Sequence, residues 1–277
     1  MSDVVPTDNK EIATKSFSMR EHSEDREAFA VEDIVLPFLT IIQDLSPQRK
    51  SVRPEYIKEA LSGDIFNTVT HQLFKEVLVI PCRFQRRYVE WKPDRGGLVR
   101  DWGSDDSAYN NASEGPNFTR LTRAGNEIVS LATYYVLHIN ENEVTPALIS
   151  MGSTQWKKAR RWNALLQNFE LQDDKGPYPA PIYARVFKLT SVHESNDKND
   201  WYGWETTPLQ TVSTYPNGIM LLNKARIFRK AVGEGSVTVT APPGATDDAY
   251  DPKYGNQVDD GPTWNRDQEK IDDNIPF

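Results

Sequence analysis

The pattern of apolar and polar positions predicts a chain of strands interrupted by two helices. The longest predicted strand covers 76–91, where β-branched residues give way to alternating basic and aromatic positions. Strict alternation or short apolar runs bounded by turn residues predict the other strands. These strands cover 65–70, 128–139, 144–151, 182–192 and 201–204, and hairpin turns are predicted at 140–143 and 195–200.

Two longer segments have the apolar period of a helix. The first follows Ser153, a residue type that favours helix N-caps, and spaces apolar residues from Trp156 to Phe169 along one face. The second helix is predicted at 217–232. Short helices are also predicted at 21–29 and 55–61. The polar segment 93–127 and the proline-rich segment 173–181 predict loops.

The order of strands, helix and further strands predicts a mainly β protein with helices (α+β), built on an OB-like Greek-key barrel. We expect residues 1–30 to form a flexible N-terminal arm and residues 31–235 to form the barrel domain. Residues 236–277 are rich in Pro, Gly and Asp, which predicts a disordered acidic tail.

Charge is distributed unevenly along the chain. The formal net charge is −8, but residues 1–36 carry nine acidic and four basic side chains, and residues 241–277 carry nine and three. The segment between them is therefore mildly basic. A basic core between acidic ends is typical of proteins that bind an anionic partner, although acidic ends also serve solubility alone.

The chain's single cysteine, Cys82, excludes an intramolecular disulfide and a cysteine-rich zinc site. No apolar run approaches the 18 residues of a membrane helix, and no signal peptide pattern is present. We therefore expect a protein of a reducing cytoplasm without a membrane partner.

Basic and aromatic residues interleave on the predicted strands and helix, as binding to single-stranded DNA requires. Positive charge follows the phosphates, and flat side chains stack on bases. The alternative is that the aromatic residues belong to the core and the helix cations to a solvated face. The predicted DNA contacts are Arg86, Arg87, Tyr88, Trp91, Lys157, Lys158, Arg160, Arg161, Arg185, Lys188, Trp201 and Tyr202.

An enzyme is not indicated by the sequence. The four histidines are scattered without the spacing of metal ligands, and neither a Gly-rich phosphate loop nor a nucleophile elbow occurs. The paired aspartates, such as 105–106 and 173–174, are more typical of solvated turns than of a nuclease metal site. We expect no catalytic residue, metal or cofactor.

The last residues of the sequence form a compact recognition element, which we call the tip. Phe277 supplies an aromatic anchor, Pro276 limits backbone freedom, and the nearby carboxylates match Arg or Lys around a pocket. We expect partner proteins to bind Asp272, Asp273, Ile275, Pro276 and Phe277.

The tip resembles the C-terminal end of bacterial single-stranded DNA-binding proteins, with Asn274 in place of the last acidic residue. The body resembles phage single-stranded DNA-binding proteins over 36–47, 63–70, 77–97 and 181–204. This resemblance implies an OB-like core that binds without sequence specificity during phage DNA replication, recombination or repair. It also implies a host-cell cytoplasmic location and a tip that recruits a polymerase, helicase/primase or nuclease.

Several alternatives stay open at the level of sequence. The core of an interaction adaptor would bind protein instead of DNA, and a strand-annealing recombination protein would pair complementary strands. Tail exchange between two copies would give a homodimer. The acidic tail would also compete with DNA for a basic groove in the free protein.

Overall fold

A computed structural model describes residues 35–239, except for 94–95, 117–118, 141–142, 198 and 238. The predicted N-terminal arm, the helix at 21–29 and the tip lie outside the described residues. So does the tail from residue 240 onward.

Strands dominate this part of the chain. They are β1 (Leu39–Ile41), β2 (Ile65–Asn67), β3 (Leu73–Phe74), β4 (Glu76–Trp91), β5 (Leu98–Gly103), β6 (Ser113–Glu114), β7 (Arg120–Leu121), β8 (Glu127–Asn140), β9 (Glu143–Gly152), β10 (Glu170–Asp173), β11 (Gly176–Pro179), β12 (Arg185–Ser195) and β13 (Asp200–Thr211). The helices are α1 (Ser107–Asn110), α2 (Trp156–Gln167) and α3 (Gly218–Gly233). The mainly β prediction is confirmed.

The largest sheet is antiparallel and curls into a half-barrel. Its main strands are arranged in the order β13-β12-β4-β8-β9. The two central strands, β4 and β8, each pair with two further strands along the edge that faces away from the other. β4 pairs with β12 near its start and with β5 near its end, and β8 pairs with β7 at its start and with β9 over the rest of its length. β5, β6 and β7 therefore extend the sheet beyond the half-barrel.

A shift in register bends the central strand. β4 pairs with β8 from Leu78 to Trp91, and the register shifts between Pro81 and Arg83, which leaves Cys82 as the extra residue. Such bulges bend a strand and increase its twist. β4 lines the half-barrel on both sides of the bend, from Val77 to Phe84, and it pairs with β5 further on, from Tyr88 to Trp91.

The interior of the half-barrel is the first apolar core. It gathers side chains from β1, β2, β4, β8, β9, β12, β13 and α2. Trp162 of α2 lies at its centre, stacked on Tyr134 at 4.1 Å between ring centroids and edge-on to Phe187 at 5.7 Å. Burial of these rings fixes α2 against the concave face of the sheet.

The other face of the sheet carries a second apolar core beneath α3. Leu221, Ala225 and Phe228 of α3 pack there with Ile80 and Tyr135 of the central strands. The buried positions in α3 recur at helical spacing, as the sequence predicted for 217–232. One sheet therefore separates α2 and α3.

The open edge of β13 is closed by two glutamine side chains. Gln43, just after β1, accepts a hydrogen bond from the backbone N–H of Tyr202 at 2.8 Å and donates one to its carbonyl at 2.9 Å. Gln155, just before α2, accepts a hydrogen bond from the N–H of Trp204 at 2.9 Å. Both amides act as short strand substitutes, which protects the edge from further pairing.

Three predicted elements were wrong. The segment 55–61 forms turns instead of a helix, since only Ile57 and Ala60 turn inward. The segment 93–127 is not a plain loop, because it contains β5, α1, β6 and β7. The proline-rich segment at 173–181 forms most of a hairpin, since β10 and β11 pair across the turn.

The predicted N-cap of α2 was also misplaced. Ser153 has φ +46° and opens a short 3-10 turn (Ser153–Gln155), so that Gln155 precedes the first residue of α2. The predicted turn at 195–200 is confirmed by the pairing of Ser195 with Asp200. β8 and β9 are confirmed as an antiparallel pair, although residues 141–142 lie outside the described residues.

Replacing Gln43 with alanine should destabilise the half-barrel. The change leaves the N–H and carbonyl of Tyr202 without their partner, and an unsatisfied buried or half-buried group costs about 1–3 kcal/mol. We expect urea denaturation to show a lower free energy of unfolding by about that amount. Gln210→Ala is the matched control, because Gln210 is an exposed glutamine on β13, the strand that contains Tyr202. Equal stability of the two variants would contradict the closure of this edge by Gln43.

Candidate nucleic-acid interface

Beyond the bulge, β4 presents polar side chains on the face that lines the half-barrel. Arg86 pairs with Ala132 of the first core, and Tyr88 and Glu90 follow on the same face by strand alternation. Arg86 is exposed, whereas Tyr88 and Glu90 are buried. The strand therefore passes from the apolar interior to a cationic rim.

Arg86 lies over an aromatic ring from α2. Its guanidinium carbon is 5.0 Å from the ring centroid of Trp156, within the range of cation–π attraction. The indole N–H of Trp156 donates to the carbonyl of Ser130 on β8 at 3.1 Å. This hydrogen bond fixes the ring at the start of α2, so that the ring holds the guanidinium in turn.

Two more arginine–aromatic pairs lie in the segment between β4 and β8. The guanidinium carbon of Arg100 is 3.9 Å from the ring centroid of Trp102, which is also on β5. The guanidinium carbon of Arg120 in β7 is 5.2 Å from the ring centroid of Tyr109 in α1. Tyr109 packs against Tyr88 at 5.1 Å. The chain from β5 to β7 is thus a small lobe that packs on the same face of β4 as Arg86.

A buried carboxylate holds this lobe to the sheet. Glu90 accepts hydrogen bonds from the indole N–H of Trp102 at 3.0 Å, the amide of Asn126 at 2.8 Å and the hydroxyl of Thr122 at 3.3 Å. Beside it, Ala112 and Ile128 close a small apolar cluster with Tyr88. Glu90 therefore orients Trp102, the ring on which Arg100 lies.

α2 adds two cations next to Trp156. Arg160 follows Trp156 by four residues, so both lie on the same side of the helix, and Lys157 points outward beside them. No carboxylate of the described residues lies within 4.0 Å of Lys157, Arg160 or Arg86. We call Lys157, Arg160 and the three arginine–aromatic pairs the arginine–aromatic surface. The pairs are Arg86 with Trp156, Arg100 with Trp102, and Arg120 with Tyr109.

Acidic side chains also border this surface, since Glu114 lies opposite Arg120 in the pairing of β6 with β7. Asp105 follows β5, and hydrogen bonds from Ser107, with a smaller contribution from Arg100, lower the pKa of Asp105. It therefore stays ionised at neutral pH and offsets part of the charge of Arg100. Lys157 and Arg160 of α2 have no carboxylate of the described residues within 4.0 Å.

Three predicted DNA contacts are inside the protein. Arg87 is 7% exposed and forms an ion pair with Asp101 of β5, on the face opposite Arg86. Tyr88 is 6% exposed and Trp91 5%. Burial gives these three side chains a packing role, because neither a base nor a phosphate reaches them in this structure.

Other predicted cations have acidic partners. Lys158 is 2.8 Å from Glu194, and Lys188 is 3.6 Å from Glu76. Arg161 is 3.6 Å from Glu205 of β13, on the side of α2 away from Trp156. Each pair reduces the positive charge that the sequence assigned to these positions.

The remaining predicted contacts lie away from the arginine–aromatic surface. The guanidinium carbon of Arg185 is 3.7 Å from the ring centroid of Phe169, which follows the end of α2. Trp201 donates its indole N–H to Glu194 at 2.9 Å, and Tyr202 packs edge-on to His193. The structure therefore brings Arg86, Lys157 and Arg160 together and separates them from the β12–β13 contacts.

Sequence reasoning missed the surface residues Arg100, Trp102, Tyr109 and Arg120. They lie in the segment that was predicted to be a loop, and Trp156 was assigned to the buried face of its helix. The spacing Arg100-x-Trp102 repeats the basic–aromatic alternation of β4 and was the available signal. The pairing of Arg120 with Tyr109 has no such signal, because it depends on the fold.

Two properties of the described part of the chain bear on other functions. No three His, Cys, Asp or Glu side chains gather there as metal ligands. Its helices all lack the combination of length and apolarity that a membrane crossing needs.

Comparison with known proteins shows a phage family. A family model described as Pam3 phage gp34-like protein matches residues 8–238 of the 277. The chain therefore belongs to the Pam3 phage gp34-like family and is a bacteriophage protein. Neither the curated proteins nor the solved structures contain a significant match.

Replacing Glu90 with alanine should loosen the lobe. The indole of Trp102 and the amide of Asn126 lose their acceptor, and each half-buried donor left unpaired costs about 1–3 kcal/mol. Hydrogen exchange at 98–103 should accelerate and the free energy of unfolding should fall.

Glu143→Ala is the control for this change, because Glu143 is exposed at the start of β9. Exposed substitutions usually change stability by less than about 0.5 kcal/mol. If exchange at 98–103 is the same in both variants, Glu90 does not hold the lobe.

Proposed function

We propose that this phage protein binds single-stranded DNA through the arginine–aromatic surface, without reading base sequence. The observation that carries the proposal is the grouping of three exposed arginines, each lying on a half-buried ring, with two cations of α2 that have no carboxylate nearby. Proteins that bind single strands combine positive charge with flat stacking surfaces in this way.

The order of strands supports an OB-like barrel. β4, β8, β9, β12 and β13 give a five-stranded arrangement in which α2 lies between the third and fourth strands. OB folds are partly open Greek-key barrels that bind oligonucleotides with strands 2–3 and the loops after strands 1 and 4. The lobe occupies the connection after the first of these strands, which is where an OB fold would contact DNA.

Each arginine–aromatic pair suits a phosphate or a base. The ring holds the guanidinium plane, so less side-chain freedom is lost when the strand binds. A guanidinium held in this way offers a fork of N–H donors to phosphate and a flat face to a base. Neither contact depends on base identity, which supports binding without sequence specificity.

Binding of this kind depends on salt. Each phosphate that a cation neutralises releases counterions, so affinity should fall as salt rises, with a slope of roughly −0.7 per phosphate contact on single strands. The net charge of −8 does not oppose this mechanism, because the acidic excess lies in the two ends of the chain.

We further propose that the tip recruits replication, recombination or repair proteins to the bound strand. Asp272, Asp273, Ile275, Pro276 and Phe277 combine carboxylates with apolar anchors, the chemistry that a basic-rimmed apolar pocket recognises. The proposed partners are a polymerase, a helicase/primase or a nuclease. No catalytic residue or cofactor enters the proposal.

Arg86→Ala should weaken binding to an oligo-dT strand. Removing one stacking or phosphate contact costs about 1–3 kcal/mol, or roughly a 5- to 150-fold loss of affinity. The salt slope should also become shallower by about 0.7. Fluorescence anisotropy of a labelled oligonucleotide at several salt concentrations measures both quantities.

Two neighbouring arginines provide a matched comparison on one helix. Arg160→Ala should weaken binding because Arg160 lies beside Trp156, whereas Arg161→Ala should change it much less because Arg161 faces Glu205. Double-stranded DNA of equal length is the competitor. Absence of binding by the unaltered protein at low salt, or equal losses in the two variants, would refute the proposal.

A further inference from the structure

α3 exposes an apolar stripe on the side that faces away from the second core. Ile219 is 79% exposed, Ile227 is 69% exposed, and Met220 lies beside them. Ile219 and Ile227 are eight residues apart, so they lie on one face of the helix with Asn223 between them. Large apolar side chains grouped in this way indicate a surface that binds another polypeptide.

Positive charge flanks the apolar stripe. α3 contains four basic residues and no acidic one. Two of them already have partners in the described residues. Arg229 donates a hydrogen bond to the carbonyl of Cys82 at 3.0 Å, and the Lys230 ammonium is 3.7 Å from the Glu234 carboxylate. Lys224 and Arg226 are exposed without a carboxylate of the described residues within 4.0 Å.

This charge decides which kind of partner fits. A second copy of α3 would bring two basic helices together, and like charges in contact are destabilising. An acidic segment with apolar side chains matches both features. Residues 240–277 carry nine acidic and three basic side chains. The last of these residues place Ile271, Ile275 and Phe277 among Glu269, Asp272 and Asp273.

The chain leaves the described structure beside this helix. Val237 and Val239 pack against the second core, which α3 covers. Residues 240–277 number 38. A flexible chain of that length has a root-mean-square end-to-end distance of roughly 30–37 Å, compared with about 24 Å for the length of α3. A tethered segment of this reach has an effective concentration of order millimolar, so weak contacts suffice.

We propose that the acidic segment 240–277 docks on α3 of its own chain, with Ile275 and Phe277 on the Ile219–Ile227 stripe and the carboxylates beside Lys224 and Arg226. This site is on the face of the sheet opposite the arginine–aromatic surface. Docking therefore shelters the tip until a partner displaces it, and it leaves the proposed DNA surface uncovered. The proposal does not depend on DNA binding.

Site-specific photo-crosslinking of the full chain tests this docking. The native Cys82 is fully buried, and burial raises the pKa of its thiol to about 12, so a maleimide spares it in the folded protein. Ile227→Cys then carries a benzophenone on α3. Val52→Cys is the control, because Val52 is 88% exposed in the segment between β1 and β2.

The expected result is a crosslink within one chain from position 227 to residues 240–277. Its yield should fall several-fold when Lys224→Glu and Arg226→Glu are added, and also with Phe277→Ala. Crosslinks to residues 1–34, covalent dimers, or a yield no higher than from position 52 would each overturn the proposal.

Discussion

β4 and β8 pair with each other at the centre of the largest sheet, and the other strands of that sheet are added to this pair. The two strands stay paired from Leu78 to Trp91, and the shift at Cys82 bends them without breaking the ladder. β12 pairs with β4 before the bend, and β9 pairs with β8 on both sides of it. At the far end the two strands pair with β5 and β7. One continuous ladder therefore joins the apolar interior to the lobe that holds the proposed DNA contacts.

Polar side chains complete what the ladder leaves open. Gln43 and Gln155 bond to the backbone of β13, so the sheet is closed by β1 and α2 without further strand pairing. Glu90 similarly satisfies three donors and fixes the lobe. Buried polar groups are expensive unless paired. These contacts therefore specify where α2 and the lobe lie, and that placement brings Trp156 beneath Arg86 and orients Trp102 under Arg100.

The long strands and both main helices could be predicted because their apolar period is a local property of the sequence. The lobe could not, because β6 and β7 have two residues each and are defined only by the pairing of β6 with β7 and of β7 with β8. The site was predicted in part. Arg86, Lys157 and Arg160 are grouped as expected, but Arg87 is neutralised by Asp101, and Arg161 faces Glu205. Ion pairs between separate elements leave no pattern in a sequence, so the number of basic residues alone overestimates the positive charge of the surface.

We propose separate roles for the two sides of the sheet, with the arginine–aromatic surface binding the strand and α3 binding the acidic segment. Hydrogen–deuterium exchange of the full chain, with and without saturating oligo-dT at low salt, tests this division most directly. We expect slower exchange in β5, in 107–121 and in the first turns of α2, and unchanged exchange in α3. Protection centred on α3, or none in the lobe and α2 while the oligonucleotide is bound, would contradict this division.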